Sequence, residues 1–337
     1  MRRRITAPRL FGAGLLLLAA VAAALWFIPS DSYIFLPDRA KALAPLVHVQ
    51  GQRPESRRGG IYLVDVLVRR ASLLERLWPG IHSGSSIVPV SAFKPPGVSQ
   101  KEQEQIDLQA MRRSQQVAAA VALRALGRTV RVRSVGVLIA AVVAGTPAVG
   151  RLSPGDVIVA VDGRRVRTRR QLRRATGRLE PGDLVRLTVR TSTELRRVTL
   201  RTTHDPDAPR RAFIGVAIQD DVRIRVATPV RINTGDIGGP SAGLAFALEI
   251  MEELGRNVDR GFRVAATGEL AIDGSVEPVG GVKQKTIGAR RSRIQVMLVP
   301  AGDNFSEAAR YAGGMRVLPV RTFGQALHAL ATFRRPA

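Results

Sequence analysis

Hydrophobic and polar residues form several distinct patterns along the 337 residues of the chain, and the first pattern is a long apolar run. Residues 11–28 (FGAGLLLLAAVAAALWFI) carry no charge and reach the lower limit of length for a membrane-spanning helix. Arginine is abundant in residues 1–10, so this span would leave the N-terminus in the cytoplasm and the rest of the chain outside. We therefore expect a single-pass protein of the cell (plasma) membrane, held by a retained signal-anchor helix.

Two alternatives for this run differ in what they leave in the mature protein. A cleaved signal peptide would use the small residues of VAAALW for cleavage, and a buried helix of a soluble fold would need no membrane. The run is long for a signal peptide and ends in the bulky Trp26 and Phe27. These features favour the anchor over a signal peptide, and the terminal position and the basic flank of the run favour it over a buried helix.

Two further patterns precede position 128. Residues 30–100 are rich in proline and glycine and contain short strand-like runs such as YLVDVLV at 62–68, which predicts a small β-containing segment without a recognisable motif. Residues 101–127 carry apolar positions at helical spacing and predict one amphipathic helix that ends at Gly127.

A compact β-rich unit is predicted over residues 131–202, where short apolar runs alternate with turn signals around one short helix. Three stretches of it resemble a PDZ domain of the bacterial protease-associated type. They are the strand GVLI at 136–139, the turn GTPA at 145–148 and the run GDVIVAVDG at 155–163.

The PDZ resemblance implies a peptide-binding role, because PDZ domains bind an extended peptide by adding it to a sheet edge. It implies that the amides around Val135, Gly136, Val137 and Leu138 would receive the terminal carboxylate of the peptide. The alternative is a packing domain that only spaces the membrane from the next unit.

The remainder of the chain predicts a second globular domain. Residues 203–211 (THDPDAPRR) are typical of a linker, and residues 212–333 alternate strand-like and helical runs. The predicted fold is therefore multidomain: an N-terminal transmembrane helix, a β-rich PDZ domain and an α/β (α+β) domain.

The amino-acid composition limits the kinds of binding site that we expect in the chain. The formal net charge is +25, but the arginines are scattered over every segment and aromatic residues make up only 4% of the chain, so a nucleic-acid-binding role ranks last. The chain has no cysteine, and its four histidines show no metal-ligand spacing. We therefore expect neither a metal nor a cofactor.

Ser241 is the candidate nucleophile, because it follows a loop of small residues and precedes an apolar helical run. A serine hydroxyl becomes a strong nucleophile only when a neighbouring base accepts its proton. Residues 239–243 satisfy the G-x-S-x-G pattern of α/β-hydrolases, which would need His328, the only histidine downstream. This esterase-type interpretation ranks second, because a loop rather than a strand leads into Ser241.

A lysine is the other candidate base. Arginine does not deprotonate in proteins, whereas a desolvated lysine amine can. Lys283 and Lys285 are the only lysines after position 101 in a chain that otherwise uses arginine. Taken alone, two solvated lysines on a helix face would be the simpler explanation.

The order of the motifs in residues 212–333 resembles the proteolytic domain of the Lon family, which uses a Ser–Lys dyad. The motifs are DIGGPSAGLAFAL at 236–248, ATGE at 266–269, DG at 273–274, PVGGVKQK at 278–285 and MLVP at 297–300. With the anchor, the PDZ unit and SQQVA at 114–118, the chain resembles the membrane-anchored, PDZ-containing Lon-like proteases of the YlbL type.

The Lon resemblance assigns roles to particular residues. It implies that Ser241 is the nucleophile, that Lys285 is the general base and that Thr267 orients the lysine amine. The backbone at Gly239, Pro240 and Ala242 would support the nucleophile, and backbone amides at the helix start would form an oxyanion hole. Lys283 occupies the more variable basic position of the motif, and we do not expect it to be catalytic.

The sequence differs from ATP-dependent Lon proteins in two ways. No G-x-x-x-x-G-K-[ST] motif occurs, which implies an ATP-independent endopeptidase acting on extracytoplasmic peptides or membrane-protein segments that the PDZ unit selects. Gly238 stands where those enzymes often carry an acidic residue, so the sequence leaves open how the loop is held.

The resemblance also implies homo-oligomers. A non-catalytic, membrane-tethered peptide-binding scaffold is the remaining alternative.

Overall fold

The computed structural model describes residues 7–50, 59–93, 100–191, 193–206 and 208–334. The chain divides into two compact units. The first, which we call the split unit, combines the residues up to 122 with those from 228 onward. The second, which we call the inserted unit, consists of residues 123–227.

The first helices and strands of the described residues run up to the start of the inserted unit. They are α1 (Ala7–Phe27), β1 (Pro29–Pro37), β2 (Lys41–Ala42), β3 (Val47–Val49), β4 (Gly60–Leu63), β5 (Val66–Ser72), α2 (Leu73–Leu77), β6 (Ser86–Pro89), α3 (Val90–Phe93) and α4 (Gln100–Ala125). Strand β1 pairs antiparallel with both β5 and β6 in a three-stranded sheet. Ser72 caps α2 through a capping box with Glu75, which explains why strand β5 changes to helix at that residue.

The predicted transmembrane helix requires correction. Among the residues that the structure describes, no helix combines the length and the apolar character that a membrane crossing requires. Helix α1 runs from Ala7 to Phe27, includes Arg9 near its start and ends before Pro29 begins β1. The prediction of an N-terminal transmembrane helix is wrong on this finding, and so is the single-pass location in the cell membrane that was inferred from it.

The inserted unit is built on an antiparallel sheet. Its elements are β7 (Val130–Val142), β8 (Val157–Val161), β9 (Arg164–Arg165), α5 (Arg169–Thr176), β10 (Leu184–Arg190), β11 (Leu195–Arg201), β12 (Thr203–His204), β13 (Ala212–Phe213) and β14 (Val216–Val226). The strand order is β11-β10-β8-β7-β14, with β9 attached to β8. Buried and exposed side chains alternate along β10, which is typical of a strand with one face on a core.

The chain after the inserted unit completes the split unit. Its elements are β15 (Val230–Ile232), α6 (Gly243–Glu253), β16 (Arg263–Ala266), β17 (Glu269–Leu270), β18 (Val276–Glu277), α7 (Val282–Arg291), β19 (Val296–Pro300), α8 (Asp303–Tyr311), β20 (Arg316–Val320) and α9 (Phe323–Thr332). Every residue of β19 is buried, as expected for a central parallel strand with both faces covered.

The main sheet of the split unit joins distant parts of the chain. Its strand order is β2-β4-β16-β19-β20, in which β4, β16, β19 and β20 run parallel. Strand β4 pairs with β16 from Gly60↔Arg263 to Leu63↔Ala266. Residues that the sequence suggested were a separate small segment therefore contribute two strands to the sheet that the C-terminal part of the chain completes.

Gly288 tests the close packing of α7 against the segment that follows β1. A Cβ added at Gly288 would lie 1.9 Å from the carbonyl oxygen of Asp38, so Gly288→Ala forces the helix away from its neighbour. We expect this substitution to lower the free energy of unfolding by about 1–3 kcal/mol, measured by urea denaturation.

Gly324 in α9 provides a matched control. A Cβ there would meet only the Thr322 hydroxyl, at 3.9 Å, so Gly324→Ala should be neutral or stabilise the fold by up to about 1 kcal/mol. Equal effects of the two substitutions would contradict the packing seen at Gly288.

Candidate active site

Ser241 lies immediately before the most deeply buried helix of the split unit. All residues of α6 are buried, and Ala242 is the residue that caps its start without a side-chain hydrogen bond. The Ser241 side chain is only half buried, so its hydroxyl lies where solvent and the helix start meet. A helix start is an electropositive environment that stabilises negative charge.

Lys285 lies on the first turns of α7 and is 4% exposed. Its Nζ donates a hydrogen bond to Oγ of Ser241 across 2.8 Å. In the neutral amine this bond can reverse, with the hydroxyl donating and the nitrogen accepting. The structure therefore brings together the two side chains that the sequence singled out, one in the loop before α6 and the other on α7.

Thr267 links the two side chains. Its hydroxyl lies 3.3 Å from Nζ of Lys285 and donates to the carbonyl oxygen of Ser241 across 3.2 Å. The backbone of Gly268 also donates to that carbonyl, at 2.9 Å. Thr267 is fully buried, so these bonds fix the direction of the lysine amine relative to the serine.

Burial sets the protonation of Lys285. Desolvation lowers the pKa of its amine from 10.5 to about 8, while the negative charge of Asp65 acts in the opposite direction. Asp65 itself pairs with Lys41 at 2.9 Å, and burial raises the pKa of its carboxyl group. The amine is therefore partly neutral near neutral pH, which is the state that can accept a proton.

Helix α4 holds the loop that carries Ser241. The carbonyl oxygen of Asp107 accepts from the backbone of Gly239 at 2.8 Å, and the Ser114 hydroxyl donates to the carbonyl of Pro240 at 2.9 Å. A Cβ added at Gly238 would lie 2.7 Å from Cβ of Asp107, so the loop can approach the helix only with glycine at that position. These contacts hold the loop in place although position 238 carries no acidic residue.

The other candidate bases lie elsewhere. The Nζ of Lys283 donates to the carbonyl of Ser85 at 2.8 Å and lies over the Tyr311 ring. His328 is exposed on α9, and no hydrogen bond among the described residues joins it to Ser241. The arrangement therefore favours lysine over histidine as the partner of Ser241.

Sequence reasoning missed Asp65, Asp107 and Ser114. Ser114 and its neighbour Gln115, which donates to the Thr234 hydroxyl at 3.2 Å, do belong to the stretch SQQVA that contributed to the resemblance. That stretch was the available signal, but it gave no reason to place the side chains beside the Ser241 loop. Asp65 carried no signal, because its segment showed no motif.

The four residues expected to receive a peptide lie in the interior of the inserted unit's sheet. Strand β7 pairs with β14 on one side, through Gly136↔Asp221, Val137↔Asp220 and Leu138↔Gln219. It pairs with β8 on the other side, at Val137 and Leu138. Val135 lies at an irregularity in the pairing with β14.

These pairings correct the expected location of the peptide edge. Strand β7 is an interior strand of the sheet, and at Val137 and Leu138 a peptide cannot be added because both neighbours are already paired. The strands at the two ends of this sheet are β11 and β14. A tight turn precedes β14, in which Gly215 has a φ of 85° and its carbonyl accepts from Val143.

Among the residues that the structure describes, no three His, Asp or Glu side chains are grouped so that they could hold a metal ion. The chemistry available at the site is that of the hydroxyl, the amine and the surrounding backbone.

Comparison with protein families identifies one domain. Residues 124–202 match the family model of the PDZ domain. This range covers α5 and the strands β7 to β11 of the inserted unit. The chain therefore contains a PDZ domain.

Curated relatives include several Lon proteases. A mitochondrial Lon protease homolog of Ostreococcus lucimarinus is 39% identical over 83 residues, which cover 25% of this chain and 8% of that protein. Lon protease 2 of Bacillus subtilis is 33% identical over 91 residues, which cover 27% of this chain and 16% of that protein. This chain thus spans less than a fifth of the length of either relative.

Solved structures similar to this chain include a PDZ domain. The PDZ domain of an SdrC-like protein from Listeria monocytogenes is 21% identical, with 25% of this chain and 87% of that chain covered and a TM-score of 0.23. A protein from Geobacillus thermodenitrificans is 31% identical, with 25% and 97% covered and a TM-score of 0.23. These TM-scores are too low for either likeness to carry an argument.

We expect the burial of the Lys285 amine to lower the free energy of unfolding when the amine is charged. Because its pKa is about 8 in the folded chain and 10.5 in the unfolded chain, the unfolded state binds more protons between these values. Stability should therefore rise as pH increases from about 8 to about 10.5, and below pH 8 the full cost of burying the charge is present. We expect Lys285→Met to raise the free energy of unfolding at pH 7 by on the order of 1–3 kcal/mol.

Denaturant unfolding at pH 7 and pH 10 checks this expectation, with Lys283→Met as the control. The gain from Lys285→Met should shrink at the higher pH, and Lys283→Met removes a lysine from the same helix while leaving the buried amine in place. A Lys285→Met variant that is less stable than wild type at pH 7 would contradict the expected cost of burying this charge.

Proposed function

We propose that this protein is a serine endopeptidase that cleaves peptides with a Ser241–Lys285 dyad and without ATP. The observation that carries the proposal is the 2.8 Å contact between Oγ of Ser241 and a buried lysine amine whose pKa is lowered to about 8. A nucleophile in contact with a base that is partly neutral near neutral pH is what acyl transfer requires. About a quarter of the chain is similar to Lon proteases, which supports a protease-related role.

The proposed reaction begins when neutral Lys285 takes the proton of Ser241. The serine oxygen then forms a bond to the carbonyl carbon of the peptide, and the negative charge on the carbonyl oxygen develops near the start of α6. Lys285 returns the proton to the leaving amine as the peptide C–N bond breaks. Water, deprotonated by the same amine, then attacks the acyl carbon, the ester bond to Ser241 breaks, and the amine returns the proton to the serine oxygen. One peptide and one water thus yield two shorter peptides.

Thr267 and helix α4 would position the reacting groups. Thr267 bonds both the lysine amine and the carbonyl of Ser241, which limits the rotation of the amine away from the hydroxyl. The bonds from Asp107 and Ser114 to the neighbouring loop would hold the nucleophile in its reactive position before substrate arrives. Such preorganisation lowers the cost of reaching the transition state.

The substrates we propose are peptides and already loose protein segments. The sequence contains no phosphate-binding loop of the G-x-x-x-x-G-K-[ST] kind with which an ATP-driven machine could unfold a stable domain. PDZ domains bind extended peptides, and the PDZ domain of this chain would select the segments presented for cleavage.

Cleavage by active-site variants tests the dyad. We expect the full chain to cut unstructured peptides without ATP, as read by mass spectrometry. Ser241→Ala and Lys285→Ala should each reduce the rate by about a thousandfold or more, because residues that act as a unit fail together.

His328→Ala and Lys283→Ala are the matched controls and should cut at rates near that of wild type. Wild-type activity in Lys285→Ala would rule out the dyad, and loss of activity in His328→Ala would favour the esterase-type arrangement. Absence of cleavage by wild type, with peptide binding retained, would favour a non-catalytic binding role.

The pH dependence of cleavage tests the role of the lysine amine. Since only the neutral amine accepts a proton, kcat/KM should rise with pH and level off above an apparent pKa of about 8. The charge of Asp65 raises the pKa of Lys285, so Asp65→Asn should move the rising limb to lower pH. A limb that moves to higher pH, or that keeps its position in this variant, would contradict the proposed electrostatics.

A further inference from the structure

One of the two edges of the inserted unit's sheet lies beside a helix. Strand β14 forms this edge and β11 forms the other, and an end strand presents backbone groups that can pair with an added strand. Asp220 of β14 accepts a hydrogen bond at 2.5 Å from the backbone N–H of Arg169, the first residue of α5. The carboxylate also lies 3.8 Å from Nε of Arg169. Helix α5 therefore lies beside the sheet edge to which a peptide would be added.

The side of α5 that faces β14 follows from helix geometry. Leu172 is buried and marks the side that faces the core. Arg169 and Arg173 are four residues apart, so they lie one above the other on one flank, and the contact with Asp220 shows that this flank faces β14. Arg170 and Arg174 each lie two positions from Leu172, about 160° around the helix axis, and face solvent.

The charges on this flank do not cancel. Arg169 is paired with Asp220, whereas Arg173 is exposed and, among the residues that the structure describes, has no acidic partner. Helix α5 itself contains no acidic residue to neutralise it. An uncompensated guanidinium beside an open strand edge selects a partner that carries a carboxylate at the matching position.

We propose that the PDZ domain selects peptides with Asp or Glu at the alternate positions whose side chains face Arg173. In a peptide paired with β14, every second side chain points toward α5 and the others point away. The selectivity therefore depends on the position of the acidic residues as well as on their number. This proposal rests on the peptide-binding role stated above and names the class of peptide that the role requires.

Pairs of peptides with identical composition separate this selectivity from general attraction to a basic chain. In one peptide the glutamates occupy the odd positions counted from the C-terminus, and in its pair they occupy the even positions. Binding to the full chain carrying Ser241→Ala, which prevents cleavage, is measured by fluorescence anisotropy at low and at physiological salt. We expect one member of each pair to bind about twofold to fivefold more tightly, with a smaller difference at higher salt.

Two charge reversals on the same helix form the matched test. Arg173→Glu should abolish or invert the preference, whereas Arg174→Glu, with the same change in net charge, should preserve it. Both positions are exposed, and equal denaturation midpoints would confirm that both variants fold.

The possible outcomes test the peptide selectivity and the peptide-binding role separately. Equal binding of both members of every pair would overturn the inference while leaving the peptide-binding role intact. Failure of every peptide to bind would overturn both. Cleavage by the wild-type chain is measured separately, so the result for the dyad does not depend on this test.

Discussion

The burial of one lysine amine beside one serine is the constraint on which the rest of the split unit depends. Keeping a charged group out of water is costly, so Lys285 can remain beside Ser241 only where surrounding groups hold it there. Thr267 bonds the amine, and Gly288 allows α7, the helix that carries Lys285, to pack closely against the chain near Asp38. The same burial lowers the pKa of the amine, so the group that destabilises the fold is also the one able to act as a base.

The site combines a partly exposed hydroxyl with a support from a helix. In the proposed reaction the hydroxyl of Ser241 must reach substrate, so its loop cannot be covered on the outer side. Helix α4 supports the loop from the other side through the Asp107 carbonyl and the Ser114 hydroxyl. Gly238 removes the side chain that would separate the loop from this helix. The position that departs from the acidic pattern of related enzymes is thus explained by packing, and the support comes from a different part of the chain.

The sequence was informative where a local motif carries the chemistry, and uninformative where distant segments meet. The motifs around Ser241, Thr267 and Lys285 named the residues that the structure places in contact, because reactive groups require particular residue types at particular positions. The pairing of β4 with β16 could not be foreseen, since it joins residues about 200 positions apart. The peptide edge was assigned to 135–138 because a strand's sequence does not reveal whether it is central or terminal in its sheet. The apolar run at 11–28 suggested a membrane span that the described helices do not support.

The main sheet of the split unit pairs strands that are far apart in the sequence, which affects how the chain folds while it is being translated. Strand β4 emerges early from the ribosome, but its neighbour β16 emerges only after the whole inserted unit has been made. Pairing across such a separation is slow to form, because a long loop must close before the contacts contribute. The inserted unit has its own core and can fold during this delay. Until α7 has been translated, Ser241 has no amine beside it, so the nascent chain would carry no assembled dyad while its own unfolded segments are exposed.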